Sequence, residues 1–331
     1  TTLKIAPTGI GHMLIVPYYT AQGGNATRLN IVNVDRVNGK AVKVRFRGAS
    51  NADDVFDFTL LLSPGDVWTA EVSQNPTTGF ARLTTADNSC TLPTQLNRDF
   101  IGTRLNPASA RPNETREGYV EILNMANIPP TSTVFAAIKH TNGVTPAPCS
   151  NGSSLPAALQ NLTSSARIAT AGLANPTTGL LANWSVVNLA EATAWSGKAT
   201  AILAVDASGQ PAYGNTVAYP QINGTPSQVT AGVPIASLTA DPLLVSGAVP
   251  IQSYDLPDLS TPYTSTLSAA QQAALLSGAM ATSSLSNEYA TDDAVQAQTD
   301  WVFSLPMRRY SVALNQTTGL PVFTTLSPPY F

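Results

Sequence analysis

Two neighbouring segments alternate apolar and polar residues so strictly that only a β-strand accommodates them. Ala41–Arg47 sets Val42, Val44 and Phe46 on one face and Lys43, Arg45 and Arg47 on the other. Asp54–Leu62 sets Phe56, Phe58, Leu60 and Leu62 on one face. A repeat of two is the strand period, whereas a helix would scatter these side chains around its axis. The turn-like stretch 48–53 joins the segments into a hairpin, and stacking the apolar faces fixes its register. Phe46 then faces Phe56, and Val44 faces Phe58. The same register sets Arg45 opposite Asp57 on the outer, solvated face, where such a pair contributes about 0.2–1 kcal/mol.

The rest of the chain reads mostly as short strands. Met13–Tyr19, Arg28–Val34, Val67–Val72, Gly118–Met125, Trp184–Ala190, Lys198–Val205, Trp301–Ser304 and Arg308–Leu314 carry the apolar runs. Ser132–Ile138 suits strand or helix, and 74–112 reads as long loops pinned by Cys90. Eight prolines between Pro211 and Pro262 forbid long central strands, so about 209–265 is expected to be a Pro-rich loop region. Ser268–Met280 is the best helix: Ser268 caps it, Gln271 completes a capping box, and Gly278 is placed at its end. A second short helix is expected from Pro156. Many short strands with one or two short helices predict a mainly β fold, a β-sandwich of the jelly-roll or Greek-key sort. It spans 1–331 as a single large domain, with a short N-terminal arm over about 1–10.

Composition bears on how such a fold lives in water. Charged residues are 11% of the chain, against about 25% in an ordinary soluble domain. No apolar stretch approaches the ~18 residues of a membrane-spanning helix, and Pro328 and Pro329 argue against a final barrel strand. A surface so poor in charge disperses badly, so the expected partners are copies of the chain itself, in a homopolymer. The net charge of −3 leaves no basic footprint for nucleic acid. In the arm, Leu3 and Ile5 alternate with Thr2 and Lys4. These four residues are either an edge strand of their own sheet or a strand donated to a neighbouring subunit.

Chemistry-bearing motifs are sparse. Cys90 and Cys149 are the two cysteines, and one disulfide between them would close a loop of roughly 60 residues, contributing about 4 kcal/mol. His12 and His140 are the two histidines, too few for zinc or haem spacing, so no metal or cofactor is expected. His12, at the lip of an apolar strand, suits a hydrogen-bonding role. Asp53, Asp54 and Asp57 lack calcium-loop spacing. No nucleophile elbow, P-loop or dinucleotide fingerprint occurs, and the chain is not read as an enzyme. Glu117, Glu121 and Glu191 are the few internal carboxylates available to a glycosidase-type pair. Trp68, Trp184 and Trp195 offer stacking platforms for the alternative role, a monomeric adhesin or glycan-binding module. Asn-x-Thr-Thr-Gly-[Phe/Leu] recurs at 75–80, 175–180 and 315–320 and reads as a reused turn whose Gly supplies a positive φ.

Several blocks resemble a widespread family of exported, largely uncharacterised cell-surface proteins of environmental proteobacteria. They are Leu14-Ile15-Val16-Pro17-Tyr18-Tyr19-Thr20, Ile31-Val32-Asn33, Lys40–Phe46, Asp54–Phe58 and Leu62–Thr69, with Thr299–Pro306 and Arg308-Arg309-Tyr310 near the other end. Residues 130–290 carry no such likeness. The resemblance implies export and residence at the cell surface, and brings no catalytic or binding residues. Secretion also agrees with a chain that begins at Thr1 without Met, as after removal of a leader.

Overall fold

A computed structural model describes residues 1–140 (other than 51, 53, 103, 104 and 106), 165–217, 257–307 (other than 260, 262, 265, 266, 268, 290 and 295–297), 312–314 and 321–323. In chain order the strands are β1 (Thr2–Ile5), β2 (Met13–Thr20), β3 (Asn25–Asn33), β4 (Gly39–Gly48), β5 (Asp54–Leu62), β6 (Val67–Gln74), β7 (Ala81–Thr84), β8 (Cys90–Leu92), β9 (Arg98–Asp99), β10 (Glu117–Ile128), β11 (Leu180–Asn188), β12 (Thr193–Lys198), β13 (Thr200–Val205), β14 (Val312–Leu314) and β15 (Pro321–Phe323). Among the described residues four α-helices accompany them: α1 (Arg111–Glu114), α2 (Phe135–Ile138), α3 (Ser165–Thr170) and α4 (Ala269–Met280).

Two antiparallel sheets face each other as a β-sandwich. One runs β1-β13-β2-β10-β4-β5-β8, the other β12-β11-β3-β6-β7-β9, and β14 pairs with β15 in a separate ribbon. β10 inserts between β2 and β4, setting Val120 beside both Val16 and Phe46. The β4–β5 hairpin pairs Phe46 with Phe56, Val44 with Phe58 and Arg45 with Asp57. Its apolar face enters the main core, where Phe56 stacks on Phe100 at 4.8 Å and Phe46 meets Tyr19 edge-on at 5.3 Å. Trp68, from the opposite sheet, is fully buried and packs on Phe58 at 5.1 Å.

A third layer covers the outer face of the seven-stranded sheet. Leu259, Tyr263, Ala273, Leu276 and Met307 bury Leu3, Met13, Ile15, Tyr119, Leu123 and Ile202. The buried Gln272 side chain holds this layer together, donating to Leu259 O at 2.6 Å and accepting from the Tyr263 amide at 2.6 Å. The Tyr263 hydroxyl donates to Asn124 O at 2.6 Å, tying the layer to β10. Lys43, Arg45 and Arg47 on the outer face of the hairpin are buried as well, so their sequence-based placement in water is corrected.

Other boundaries also shift. The 74–112 region contains three short strands, β7 to β9, seated by Leu83 and Cys90 in the interior. Ser132–Ile138 resolves into one helical turn, α2, and Gly278 lies inside α4 rather than at its end. Trp301–Ser304 belongs to no strand. The helix expected from Pro156, the cap residue Ser268, most of the Pro-rich region and the 315–320 turn lie outside the described residues.

Candidate functional site

The outer face of the hairpin carries a ladder of ions. Arg45 donates through Nη2 to Asp57 Oδ2 at 3.0 Å, and its Nε lies 3.2 Å from Asp54 Oδ2. Lys43 pairs with the same Asp57 carboxylate. Arg47 reaches Glu121 on β10 and Asp258 of the covering layer, both at 3.4 Å. All seven groups are buried. With Lys40 they make eight buried ionic side chains out of 17 basic and 20 acidic residues. The exterior is poorer still in charge than the composition says.

The arm residues Thr2, Leu3, Lys4 and Ile5 lie in the chain's own sheet. β1 pairs antiparallel with β13, in the register Thr2↔Val205, Leu3↔Ala204, Lys4↔Leu203 and Ile5↔Ile202. Leu3 is buried against the third layer, while Thr2 and Lys4 are exposed. His12 keeps β13 in place where β2 has run out. Its Nδ1 accepts the Ala204 amide at 3.1 Å, standing in for a strand carbonyl, and its Nε2 donates to Ala212 O at 2.8 Å. Those two bonds define the neutral Nε2–H tautomer. Burial lowers the imidazole pKa from 6.5 to about 4, opposed by the Ala212 bond and reinforced by the nearby Lys40 charge.

The two described copies of the repeated turn each grip an ionic side chain. Asn75 Oδ1 accepts the Thr77 amide at 2.9 Å, and Gly79 adopts φ +74°. Asn75 Nδ2, Thr78 Oγ1 and Arg82 all donate to Asp99, holding its carboxyl below the usual range although burial opposes this. In the second copy Gly179 has φ +139°, and a Cβ there would lie 3.0 Å from Lys40 Cε. Thr177 Oγ1 accepts from Lys40 Nζ at 3.0 Å, and Thr177 O and Thr178 O lie at 3.4 and 3.2 Å. Gly79→Ala is expected to lower stability by about 1 kcal/mol, the cost of a left-handed backbone at an L-residue. Gly179→Ala should cost more, because it also displaces Lys40, and thermal unfolding of the two variants reads the difference.

The remaining sequence candidates separate. Glu117 accepts the Tyr18 hydroxyl at 3.0 Å, Glu121 lies in the ladder, and Glu191 sits in the exposed turn after β11, so the structure gathers no carboxylate pair from them. Ser63 Oγ and Asp66 Oδ2 lie 3.0 and 3.3 Å from the same nitrogen, Nδ1, of His140. A nucleophile and an orienting carboxylate must take opposite ring nitrogens, so this trio fastens loops. Asp54 and Asp57 serve the ladder, and Asp53 lies outside the described residues. Cys90 is buried on β8, and Cys149 lies outside the described residues. Trp68 is core, Trp184 packs over Gly197, and Trp195 is exposed on the edge strand β12. Sequence reasoning missed the exposed pair Trp301 and Phe303, stacked at 5.8 Å and 13° beside an open groove of about 580 Å³ lined by Thr282, Ser283, Ser284 and Leu285.

No protein-family description, curated protein or solved structure matches the chain.

Proposed function

We propose that the protein is a structural subunit of a secreted, cell-surface filament, sheath or similar assembly, joined to its copies by strand addition. The observation that carries this reading is the β1–β13 ladder. A strand of four residues closes the edge of a large sheet, held by main-chain bonds to a strand some two hundred positions away and by Leu3 in a pocket. Exchanged between two copies, β1 of one chain on β13 of the next keeps every one of these bonds. Only the connection 6–12 must open, which is the low-cost route of strand swapping. Leu189, Trp195, Tyr213, Trp301, Val302 and Phe303 add exposed apolar surface to an exterior already short of charge.

Electron microscopy of concentrated wild-type protein should show filaments, and the same preparation of Leu3→Asp should show discrete particles. Wild-type protein that stays monodisperse at every concentration overturns the reading. Secretion accords with a Cys90–Cys149 bridge, which a non-reducing peptide map should find. A second reading, glycan binding, is favoured by the Trp301–Phe303 stack beside the hydroxyls of Thr282, Ser283 and Ser284. Glycan-array binding that disappears in Trp301→Ala would support it.

A further inference from the structure

Lys40 on β4 and Asn127 on β10 are direct cross-strand partners, and both face the mouth of the sandwich under the 175–179 turn. Lys40 is fully buried and Asn127 is 3% exposed. Lys40 Nζ lies 2.8 Å from Asn127 Oδ1, so the carbonyl carbon is one bond further on. Asp35 Oδ2 lies 3.3 Å from the same Nζ. Three further groups converge on the Asn127 carboxamide. Asn124 Nδ2 and the Thr177 amide each donate to Oδ1 at 3.3 Å, and Nδ2 donates to Thr177 Oγ1 at 2.9 Å. An amine, a carboxamide, a carboxylate and two donors aimed at the carbonyl oxygen are the parts of an acyl-transfer site.

We propose that Lys40 and Asn127 are joined by an intramolecular isopeptide bond that this cluster forms without any other enzyme. Asp35 takes a proton from the Lys40 ammonium, and the freed Nζ lone pair attacks Asn127 Cγ. The negative charge that develops on Oδ1 is met by the Asn124 and Thr177 donors, which already point there. Collapse of the tetrahedral intermediate breaks Cγ–Nδ2. Thr177 Oγ1, 3.0 Å from Nζ and 2.9 Å from Nδ2, relays a proton from Nζ to the departing nitrogen, which leaves as ammonia and becomes ammonium with the proton Asp35 took at the start. The whole change is lysyl ammonium plus carboxamide to secondary amide plus ammonium ion, with no oxidant or reductant. Strand pairing holds the reacting groups together, so the step gains the rate advantage of an intramolecular reaction. Burial also pushes the Lys40 ammonium below the ordinary lysine range, against the pull of Asp35, which favours the amine. The bond ties the centre of the seven-stranded sheet across β4 and β10, independently of how copies assemble.

Tryptic peptides of the reduced, denatured wild-type protein decide the matter. The expected species is one branched peptide joining residues 37–43 to 117–139, uncut after Lys40 and lighter than the two linear peptides by one ammonia, about 17 Da. Lys40→Arg and Asn127→Ala should each return the linear masses. Asp35→Ala, which keeps both reacting groups, should form the link about 10²-fold more slowly, as loss of a proton-transfer group predicts. Cleavage after Lys40 together with an unmodified 117–139 peptide in folded wild-type protein overturns the proposal and leaves the pair as a charge–amide contact.

Discussion

Asp57→Ala is expected to lower the unfolding free energy by about 3–5 kcal/mol, because it leaves two buried cations without their shared carboxylate. Asp57 is fully buried, with Lys43 and Arg45 both on it. The attraction across such a pair stands against the desolvation of both partners, so the intact ladder contributes little net stability. Removing one member leaves the desolvation uncompensated. Two comparisons isolate this cause. The exposed Arg28–Glu71 pair, at 3.1 Å, has equally good geometry, yet Arg28→Ala should cost no more than about 1 kcal/mol, since water already screens it. Replacing Lys43, Arg45, Asp54 and Asp57 together by Met, Met, Leu and Leu should recover most of the loss, because no buried charge of that cluster is then left without its partner. Guanidinium denaturation of the three proteins measures all of this. A loss below about 1 kcal/mol for Asp57→Ala would mean that water reaches the ladder.

The hairpin behind this prediction is legible in the sequence, and the burial of its outer face is not. Alternation over Ala41–Arg47 and Asp54–Leu62 is local, so pairing and register follow from period and stacking alone. A row of Lys, Arg and Asp on the second face has the same pattern whether water or protein lies above it. The described contact over it is Asp258 on Arg47, some two hundred residues later, and no local signal connects them. The same distance hides the site at Lys40, whose partners Asn127 and Thr177 come from two other segments. The recurrent Asn-Pro-Thr-Thr-Gly turn is visible by eye, but that one copy grips Asp99 and another Lys40 depends on what the fold brings to each. Strands β7 to β9 are too short for their periodicity to register. Trp301–Ser304 has a strand's composition but lies on the surface outside any sheet.

Between pH 6.5 and 4 the protein is expected to lose about 3 kcal/mol of stability through His12 alone. The sign follows from which state holds the proton. In the unfolded chain the imidazole titrates near its ordinary 6.5, whereas in the native fold burial holds it neutral down to about 4. Across that window the unfolded state binds a proton that the native state refuses, so stability is full above pH 6.5 and falls as the pH drops to 4. Carboxylates such as Asp35 and Asp99, held low by their hydrogen bonds, add their own losses in acid. The His12 share is therefore the difference between wild type and His12→Asn, whose side-chain carbonyl replaces the Nδ1 acceptor without titrating. That difference should move by about 3 kcal/mol between pH 7 and pH 4, and the wild-type imidazole should titrate near 4 by NMR. A native titration near 6.5 would refute the assignment. Protonation has a local consequence too: a proton on Nδ1 would face the Ala204 amide it now accepts, on the residue paired with Leu3. Amide protection along β1, corrected for the intrinsic exchange rate at each pH, should therefore fall in acid before that of the β4–β5 hairpin. If the arm is what passes between copies, the same acidification should speed that exchange.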